Sequence, residues 1–235
     1  VHVQQLLFDE NTDNLWSVHV SETRNLLRKI ESDRKLVSDN DFASLLELSG
    51  NDLDELCKIA DESRRNHVGD VVTYVTNRSI LLDQFSLEPG FKDGLWNQET
   101  LREITLDLSN RGISEICLQG IPTSAPLDKS QFELVKEIGT TAQELHIHAF
   151  RASELLEAAR VAQQDIHSYL EMLKDLGLRS IPGTGIQVPS SRAISNSVAN
   201  SISFKDWSDV VIAAHQLGLK STAVIAFGSG ETAFE

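Results

Sequence analysis

The chain has 235 residues, of which 40% are apolar and 24% are charged, which is typical of a globular protein with a sizeable core and between one and two domains. Its formal net charge of −14 disfavours binding to nucleic-acid phosphates or to anionic membrane surfaces. Two cysteines exclude a disulfide framework, and no apolar stretch approaches the ~20 residues that span a bilayer. The N-terminal residues carry no secretory signal, so we expect a cytoplasmic protein.

The first part of the sequence, residues 1–68, is predicted to be an N-terminal lead-in followed by a small group of helices. Residues 1–20 show no sustained period. Ser21 is a plausible cap for a helix that places Leu26 and Leu27 on one apolar stripe, and the segment SDNDF begins a second helix. A third helix is expected over 51–66. Its predicted inward-facing residues are Leu53, Leu56, Cys57, Ile59 and Ala60.

From residue 69 onward, short apolar runs alternate with amphipathic segments, each of which is predicted as one helix, including 152–178. Strand, helix and strand in this order are typical of βαβ units on a parallel sheet. We therefore predict the α/β class, with an incomplete (β/α) barrel of TIM type and about five parallel strands over residues 69–235, since a closed barrel takes ~250 residues. The runs predicted as strands are 71–75, 115–120, 145–150, 179–185 and 221–228.

Candidate binding residues follow the predicted strands, because ligands bind at the carboxyl ends of parallel strands. His146 and His148 are two residues apart on one strand, so their side chains point the same way. They would either ligate a metal or relay protons, or else form hydrogen bonds in the barrel lumen or to a ligand. The sequence favours hydrogen bonding, because it offers no evident third metal ligand at compatible spacing.

Two glycine-rich turns follow the fourth and fifth predicted strands. Residues 182–185, PGTG, would either let the backbone approach a ligand or form a tight turn. Residues 228–230, GSG, match neither the phosphate-binding P-loop nor the dinucleotide-binding fingerprint. The sequence also lacks the G-x-S-x-G nucleophile elbow, which disfavours hydrolase chemistry of that type.

Five blocks of sequence, in one order, carry a resemblance to a known family. They read ADESRRNHVGDVVTYVTNRSI, EICLQG, HIHAF, LKDLGLRSIPGTG and AAHQLGLKSTAVIAFG. Together they resemble the radical S-adenosylmethionine FO synthases of deazaflavin cofactor biosynthesis, in particular the half that joins tyrosine to ribitylaminouracil (CofH-type). The resemblance implies a partial (β/α) barrel that holds a 4Fe–4S cluster and S-adenosylmethionine. The implied reaction is radical transfer of the hydroxybenzyl group of tyrosine to ribitylaminouracil.

The resemblance also implies which positions contact the substrate or cosubstrate, whereas no catalytic residue and no metal ligand is assigned. The implied binding residues are Tyr74, Asn77, Arg78, Gln119, Gly120, His146, His148, Thr184, Gln187 and Ser229.

Departures from the family pattern concentrate at the expected reaction centre. In the family the first strand leads into a C-x-x-x-C-x-x-C loop, whereas residues 81–98 of this chain contain no cysteine. Gln187 stands where the family has Glu, Ser229 stands where it has His, and Ile121 interrupts the Gln-Gly-Gly motif. The remaining thiols, Cys57 and Cys117, are fewer than the three that the cubane requires. We therefore expect that this chain does not perform the family reaction as written.

Three functions stay open on the sequence alone. The first is an FO-synthase-type enzyme whose cluster loop and C-terminus were lost in gene prediction. The second is a non-catalytic pseudoenzyme that binds a small ligand or a catalytic homologue. The third is a metal-dependent lyase or isomerase that uses His146 and His148. Expected partners are tyrosine, ribitylaminouracil and a protein that covers the open edges of the sheet. Nucleic acid and membranes are not expected.

Overall fold

A computed structural model describes residues 23–82, 98–120, 127–188 and 202–235. The predicted lead-in, the Ser21 cap and Ile121 lie outside these residues. The chain divides into two compact units, Val1–Thr73 with Thr232–Glu235, and Tyr74–Glu231. The domain boundary after residue 68 stays a prediction.

Three helices and one 3-10 turn make up the described part of the first unit: α1 (23–32), the turn Arg34–Leu36, α2 (Asp39–Leu45) and α3 (Gly50–Val68). Leu26 and Leu27 of α1 are buried, as the apolar stripe predicts. A capping box begins α2. Ser38 Oγ accepts a hydrogen bond from the Asp41 backbone N–H at 3.2 Å, and the Asp41 carboxylate accepts one from the Ser38 N–H at 3.0 Å.

Of the α3 residues predicted to face inward, Leu56, Ile59 and Ala60 line an open groove between the helices, whereas the prediction is wrong for Cys57. No residue of α3 is buried, and Cys57 is exposed. The physical reason is an open groove of about 800 Å³ between the helices, lined among others by Ile30, Phe42 and Ile59. The apolar stripe of α3 faces this groove instead of a filled core.

The second unit alternates strands and helices. Five strands form one parallel sheet in the order β1-β2-β3-β4-β6, and β5 and β7 form a separate parallel pair. The predicted α/β class with about five parallel strands is confirmed. None of the described helices is long and apolar enough to cross a membrane. The elements are β1 (Asn77–Leu81), α4 (Gln98–Asn110), β2 (Glu115–Gln119), α5 (Leu127–Thr141), β3 (His146–Ala149), α6 (Ala152–Val161), α7 (Ile166–Leu176), β4 (Leu178–Ile181), β5 (Ile186–Gln187), α8 (Phe204–Gln216), β6 (Lys220–Ser221) and β7 (Ile225–Ala226).

The first strand begins later than predicted, at Asn77 instead of Val71. Residues 71–75 form no strand, and the Val72 and Tyr74 side chains are 88% and 89% exposed. Ile80 is only 1% exposed, so the sheet register is set by the apolar residue that the core accepts.

The segment 152–178 forms two helices where one was predicted. Gln163 adopts a positive φ of 55°, which ends the first helix, and Asp165 caps the second by accepting a hydrogen bond from the Ser168 N–H at 2.9 Å. The last predicted strand, 221–228, is likewise divided into β6 and β7, and β7 pairs with β5.

The two faces of the central sheet differ in polarity because side chains alternate along each strand. Ile80, Ile116, Leu118, Ile147 and Ala149 belong to the apolar core, in which helices α4 to α8 also take part. The opposite face, called the polar face below, carries Asn77, Ser79, Glu115, Cys117, Gln119, His146, His148 and Ser180.

Candidate functional site

Parallel pairing aligns the polar-face residues in rows across the strands. Asn77, Glu115 and His146 form one row, since Asn77 pairs with Glu115 and Glu115 with His146. In the next row Cys117 is paired with His148, which is in turn paired with Ser180. Neighbouring strands lie about 4.8 Å apart, so polar groups on adjacent strands come within hydrogen-bonding reach.

The closest polar cluster consists of two imidazoles that share one hydroxyl. Ser180 Oγ lies 2.7 Å from His146 Nε2 and 2.7 Å from His148 Nδ1. Ser180 is only 6% exposed. The register of β3 against β4 shifts by one residue between Ile147 and His148, so that Ser180 is the residue aligned with His148. The imidazoles of His146 and His148 therefore both contact one residue of β4, Ser180.

Glu115 and Asn77 add a carboxylate and an amide beside the imidazole of His146. Glu115 Oε2 is 4.0 Å from His146 Nε2, and Asn77 Nδ2 donates to Glu115 Oε1 at 3.4 Å. Burial lowers the pKa of His148, the Glu115 carboxylate raises it, and the nearby His146 lowers it. Burial is the largest of these effects, so the pKa of His148 is lowered from its ordinary value, which favours the neutral imidazole.

The donor set does not fit the iron–sulfur cluster that the resemblance implies. The whole sequence has two cysteines, and the structure places Cys57 in α3 and Cys117 in β2, in different units. Cys117 is buried and its Sγ accepts a hydrogen bond from Gln119 Nε2 at 3.3 Å. Within the described residues no three or more His, Cys, Asp or Glu side chains are grouped so that they could hold a metal ion.

A second polar cluster lies where β2 and β3 end. The buried Glu154 carboxylate accepts hydrogen bonds from the backbone N–H groups of Gly120 and Arg151, both at 2.8 Å. Arg151 Nη2 donates to Gln119 Oε1 at 2.8 Å. Arg151 and Glu154 are not among the residues predicted from the sequence. Their place directly after the third strand, at the beginning of a helix, is a signal that could have identified them.

The turn at residues 182–185 serves backbone packing. An added Cβ at Gly183 would lie 1.8 Å from the carbonyl oxygen of Thr222, so only glycine allows this approach of two backbones. The backbone that approaches Gly183 is that of Thr222, and the choice between a ligand contact and a tight turn stays a prediction. Beside it, Thr184 Oγ1 and Gln187 Oε1 are buried and have no hydrogen-bond partner among the described residues.

Tyr74, Arg78 and Ser229 are the remaining predicted binding residues. Tyr74 precedes β1 and is almost fully exposed. Arg78 lies on the opposite face of the sheet from Asn77 by alternation. Ser229 follows β7, and its N–H donates to Glu231 Oε2 at 2.7 Å.

The ten predicted residues therefore do not all lie at the carboxyl ends of the strands. Asn77 and His146 are the first residues of their strands. The reason is that β1 is shifted toward the C-terminus relative to the prediction, so Asn77 aligns with Glu115 at the beginning of β2.

Comparison with known proteins gives relatives over most of the chain, although no family model matches it. It is 28% identical over 214 residues to the FO synthase of Nocardia farcinica, covering 86% of this chain and 25% of that protein. It is 30% identical over 208 residues to the 5-amino-6-(D-ribitylamino)uracil–L-tyrosine 4-hydroxyphenyl transferase of Methanococcus maripaludis strain C6, covering 83% of this chain and 58% of the relative. The transferase of the same name from Methanocaldococcus jannaschii is 32% identical over 192 residues, covering 74% and 52%.

The chain thus spans somewhat over half the length of these transferases and a quarter of the FO synthase. The resemblance read from the sequence blocks is confirmed: over most of its length this chain is a homologue of the FO synthases and of the ribitylaminouracil–tyrosine hydroxyphenyl transferases.

Proposed function

We propose that this chain is an FO-synthase-like domain of the radical S-adenosylmethionine class that binds a small polar ligand on the polar face of its sheet, and that it does not by itself perform the hydroxybenzyl transfer. The observation that carries the ligand-binding part is the cluster of His146, His148, Glu115 and Ser180, which places convergent polar groups on one face of an otherwise apolar sheet. A few convergent polar groups are what fix a ligand in an otherwise apolar pocket.

Ribitylaminouracil and tyrosine are the ligands we assign, because the relatives' names state them as substrates. A substituted uracil offers carbonyl acceptors and N–H donors, and a ribityl chain offers hydroxyls. The half-exposed His146 imidazole and the Glu115 carboxylate supply complementary hydrogen-bonding groups.

Thr184 and Gln187 support binding of a ligand that carries an amino group. Their buried Oγ1 and Oε1 atoms accept no hydrogen bond from the described residues. A buried acceptor without a donor costs about 1–3 kcal/mol, so a ligand N–H would remove this cost. Tyrosine and S-adenosylmethionine both carry an α-ammonium group, and S-adenosylmethionine remains a candidate cosubstrate on this ground.

We infer the absence of catalysis from the number of cysteine thiolates that could hold an iron–sulfur cluster. A cubane is held by cysteine thiolates, and carboxylates or amides are poor substitutes for soft sulfur donors. Cys57 and Cys117 are two donors in different units, one exposed and one buried. No step of the proposed function therefore passes through an iron–sulfur cluster.

A second candidate function is that of a scaffold that binds another chain, such as a catalytic homologue. Among the described residues, β1 and β6 each have one neighbour in the sheet, so each presents one unpaired edge. Val71 and Val72, which precede β1, are 80% and 88% exposed. We expect an association that covers these groups, and a monodisperse monomer in light scattering would contradict it.

Isothermal titration calorimetry tests the ligand. We expect saturable heat with ribitylaminouracil or tyrosine, and at least tenfold weaker binding after His148→Ala. His67→Ala is the matched control, because His67 is an exposed helix residue whose Nδ1 lies 2.6 Å from the Ser63 carbonyl oxygen within the same helix. The absence of heat from both ligands and from S-adenosylmethionine would remove the binding function and leave the scaffold.

Anaerobic reconstitution with iron and sulfide tests the second half of the proposal. We expect no cubane absorbance in the visible range, and a strong cubane spectrum would contradict the donor argument. Sequencing of the transcript between the codons of Ile80 and Leu81 tests whether a cysteine-bearing exon belongs there.

A cytoplasmic location stays a prediction.

A further inference from the structure

The hydroxyl of Ser180 imposes a constraint on the two imidazoles that contact it. A serine hydroxyl has a single proton to donate, whereas each neutral imidazole has one N–H and one bare nitrogen. His146 Nε2 and His148 Nδ1 both lie 2.7 Å from Ser180 Oγ. At most one of the two nitrogens therefore accepts from the hydroxyl, whereas Oγ can accept a hydrogen bond from either ring N–H.

Two arrangements of protons pair every polar hydrogen of these contacts when both rings are neutral. A third, in which both rings donate to Oγ, would leave the hydroxyl proton of the buried Ser180 without an acceptor among the described residues, at a cost of about 1–3 kcal/mol. In the first, His146 carries its proton on Nε2 and donates to Ser180, which donates to Nδ1 of His148, so that His148 also carries its proton on Nε2. In the second, all directions are reversed and both rings carry the proton on Nδ1. The tautomers of the two histidines are therefore coupled through Ser180.

Glu115 selects the first arrangement. Its Oε2 atom is 4.0 Å from His146 Nε2, and a carboxylate favours an N–H over a bare nitrogen at that distance. The bond from Asn77 Nδ2 to Glu115 Oε1 holds this carboxylate on the same row as His146. With Nε2 of His146 protonated, the Ser180 hydroxyl donates to Nδ1 of His148.

We propose that Ser180 is a positioning residue that fixes His148 as a neutral imidazole, with its Nε2–H directed to donate to a carbonyl oxygen of a substituted pyrimidine. Among the described residues Nε2 of His148 has no hydrogen-bond partner, so this donor is available. The ligand class rests on the proposed function, whereas the tautomer does not depend on any ligand.

The groups that face His148 from the neighbouring strands are consistent with a neutral ring. Cys117 on β2 is aligned with His148 and is buried, and Ser180 on β4 is aligned on the other side. Lys220 on β6 is aligned with Ser180, is exposed, and forms no ion pair among the described residues. Glu115 is the carboxylate of the cluster, and it is nearer to His146 in the row than to His148. Burial of His148 lowers its pKa, in the same direction as the proposed hydrogen bond.

Long-range proton–nitrogen NMR correlation on the ligand-free, full chain tests the tautomer directly. We expect Nε2–H on both His146 and His148 at pH 7.5, with the Nδ1 resonance of His148 shifted by an accepted hydrogen bond. An Nδ1–H tautomer of His148, or an Nδ1 resonance like that of an imidazole free in water, would overturn the proposal. This measurement needs no variant.

Ser180→Ala supplies the second readout. Loss of a hydrogen bond that stabilises the neutral ring raises the pKa of His148 by about 0.5 to 1. Ser221→Ala is the matched control. Ser221 lies on the adjacent strand β6, and its Oγ contacts one imidazole, that of His215 in α8, at 2.8 Å from Nε2. Ser180→Thr, which keeps the hydroxyl, is expected to restore the titration of His148.

The titration of His148 tests the role of Ser180, and calorimetry tests the proposed ligand, so the two can fail separately. An unchanged His148 titration in a folded Ser180→Ala protein overturns the positioning role, whatever calorimetry shows. Titration that shifts as expected, with no heat from ribitylaminouracil in the wild-type chain, keeps the role of Ser180 and removes the ligand. Where both hold, Ser180→Ala is expected to weaken ribitylaminouracil binding about tenfold, and Ser221→Ala to leave it unchanged.

Discussion

Gly183→Ala tests whether the close approach of two backbone segments holds β4 against β6. The added Cβ would lie 1.8 Å from the carbonyl oxygen of Thr222 and 2.8 Å from its carbonyl carbon, and ordinary contact begins at 3.4 Å. The obstacle is backbone, which has no alternative rotamer, so the two segments must separate by about 1.5 Å. Three hydrogen bonds span this approach. Gly183 N–H donates to Thr222 Oγ1 at 3.0 Å, Val224 N–H donates to the Gly183 oxygen at 2.9 Å, and Thr222 N–H donates to the Ile181 oxygen at 3.3 Å.

Overpacking costs about 1–3 kcal/mol and a weakened hydrogen bond about 1 kcal/mol, so we expect Gly183→Ala to lower the free energy of unfolding by about 3 kcal/mol. Urea denaturation followed by far-ultraviolet circular dichroism measures it. Gly185→Ala is the control within the same turn. Gly185 has a φ of +87° and open space around its Cα, so its cost is backbone strain alone, about 1–2 kcal/mol. A Gly183→Ala protein as stable as Gly185→Ala would refute the packing argument.

Two further predictions concern polar groups at helix ends and between helices. Ser38→Ala removes the side-chain cap of α2 and is expected to destabilise the first unit by about 1 kcal/mol, measured by urea denaturation, with Ser44→Ala as an exposed control within the same helix. Hydrogen bonds from Gln98 and Arg102 lower the pKa of Glu137 below 4.5, so its stabilising contribution is complete above pH 4.5 and is lost as the pH falls through the lowered value. Glu137→Gln should therefore lower the urea midpoint at pH 7. On acidification, the urea midpoint of Glu137→Gln should fall less than that of the wild type, and an equal fall in both proteins would count against this.

The sequence predicts those parts of the fold that depend on local patterns. The strands at 115–119 and 146–149 are short apolar runs between helical periods, and they are found where predicted. Gly112 and Gly177 lie at the ends of helices with φ values of 74° and 122°, a conformation that favours glycine. Because both signals are contained within a few neighbouring residues, they can be read without knowledge of the tertiary structure.

The first strand shows where local patterns fail. Residues 71–75 have the stronger β propensity, but the sheet pairs the more polar residues Asn77–Leu81 with β2. The choice depends on which register buries Ile80 against the helices, and this register is a property of the tertiary contacts. Propensity alone could not have distinguished the two segments.

Ser180 could not have been predicted as part of the candidate site for the same reason. It is 32 residues beyond His148 in sequence, and a single-residue shift between β3 and β4 decides which residue of β4 is aligned with that imidazole. The sequence identified the two histidines by their spacing on one strand. The hydroxyl that couples them is set by strand register.

Gln187 offers a test of whether the unpartnered polar atoms are kept for a ligand. Its Oε1 atom is buried without a donor among the described residues, which costs the free protein about 1–3 kcal/mol. Gln187→Met keeps the shape of the side chain and removes the acceptor, so we expect the free protein to become about 1 kcal/mol more stable.

Gln164→Met is the matched control for Gln187→Met, because Gln164 Oε1 is also buried without a partner but lies in the short segment between α6 and α7, outside the candidate site. Both variants should raise the urea midpoint, and only Gln187→Met should weaken binding of tyrosine or S-adenosylmethionine in calorimetry. Equal effects of the two variants on binding would mean that the acceptor at Gln187 is not kept for a ligand.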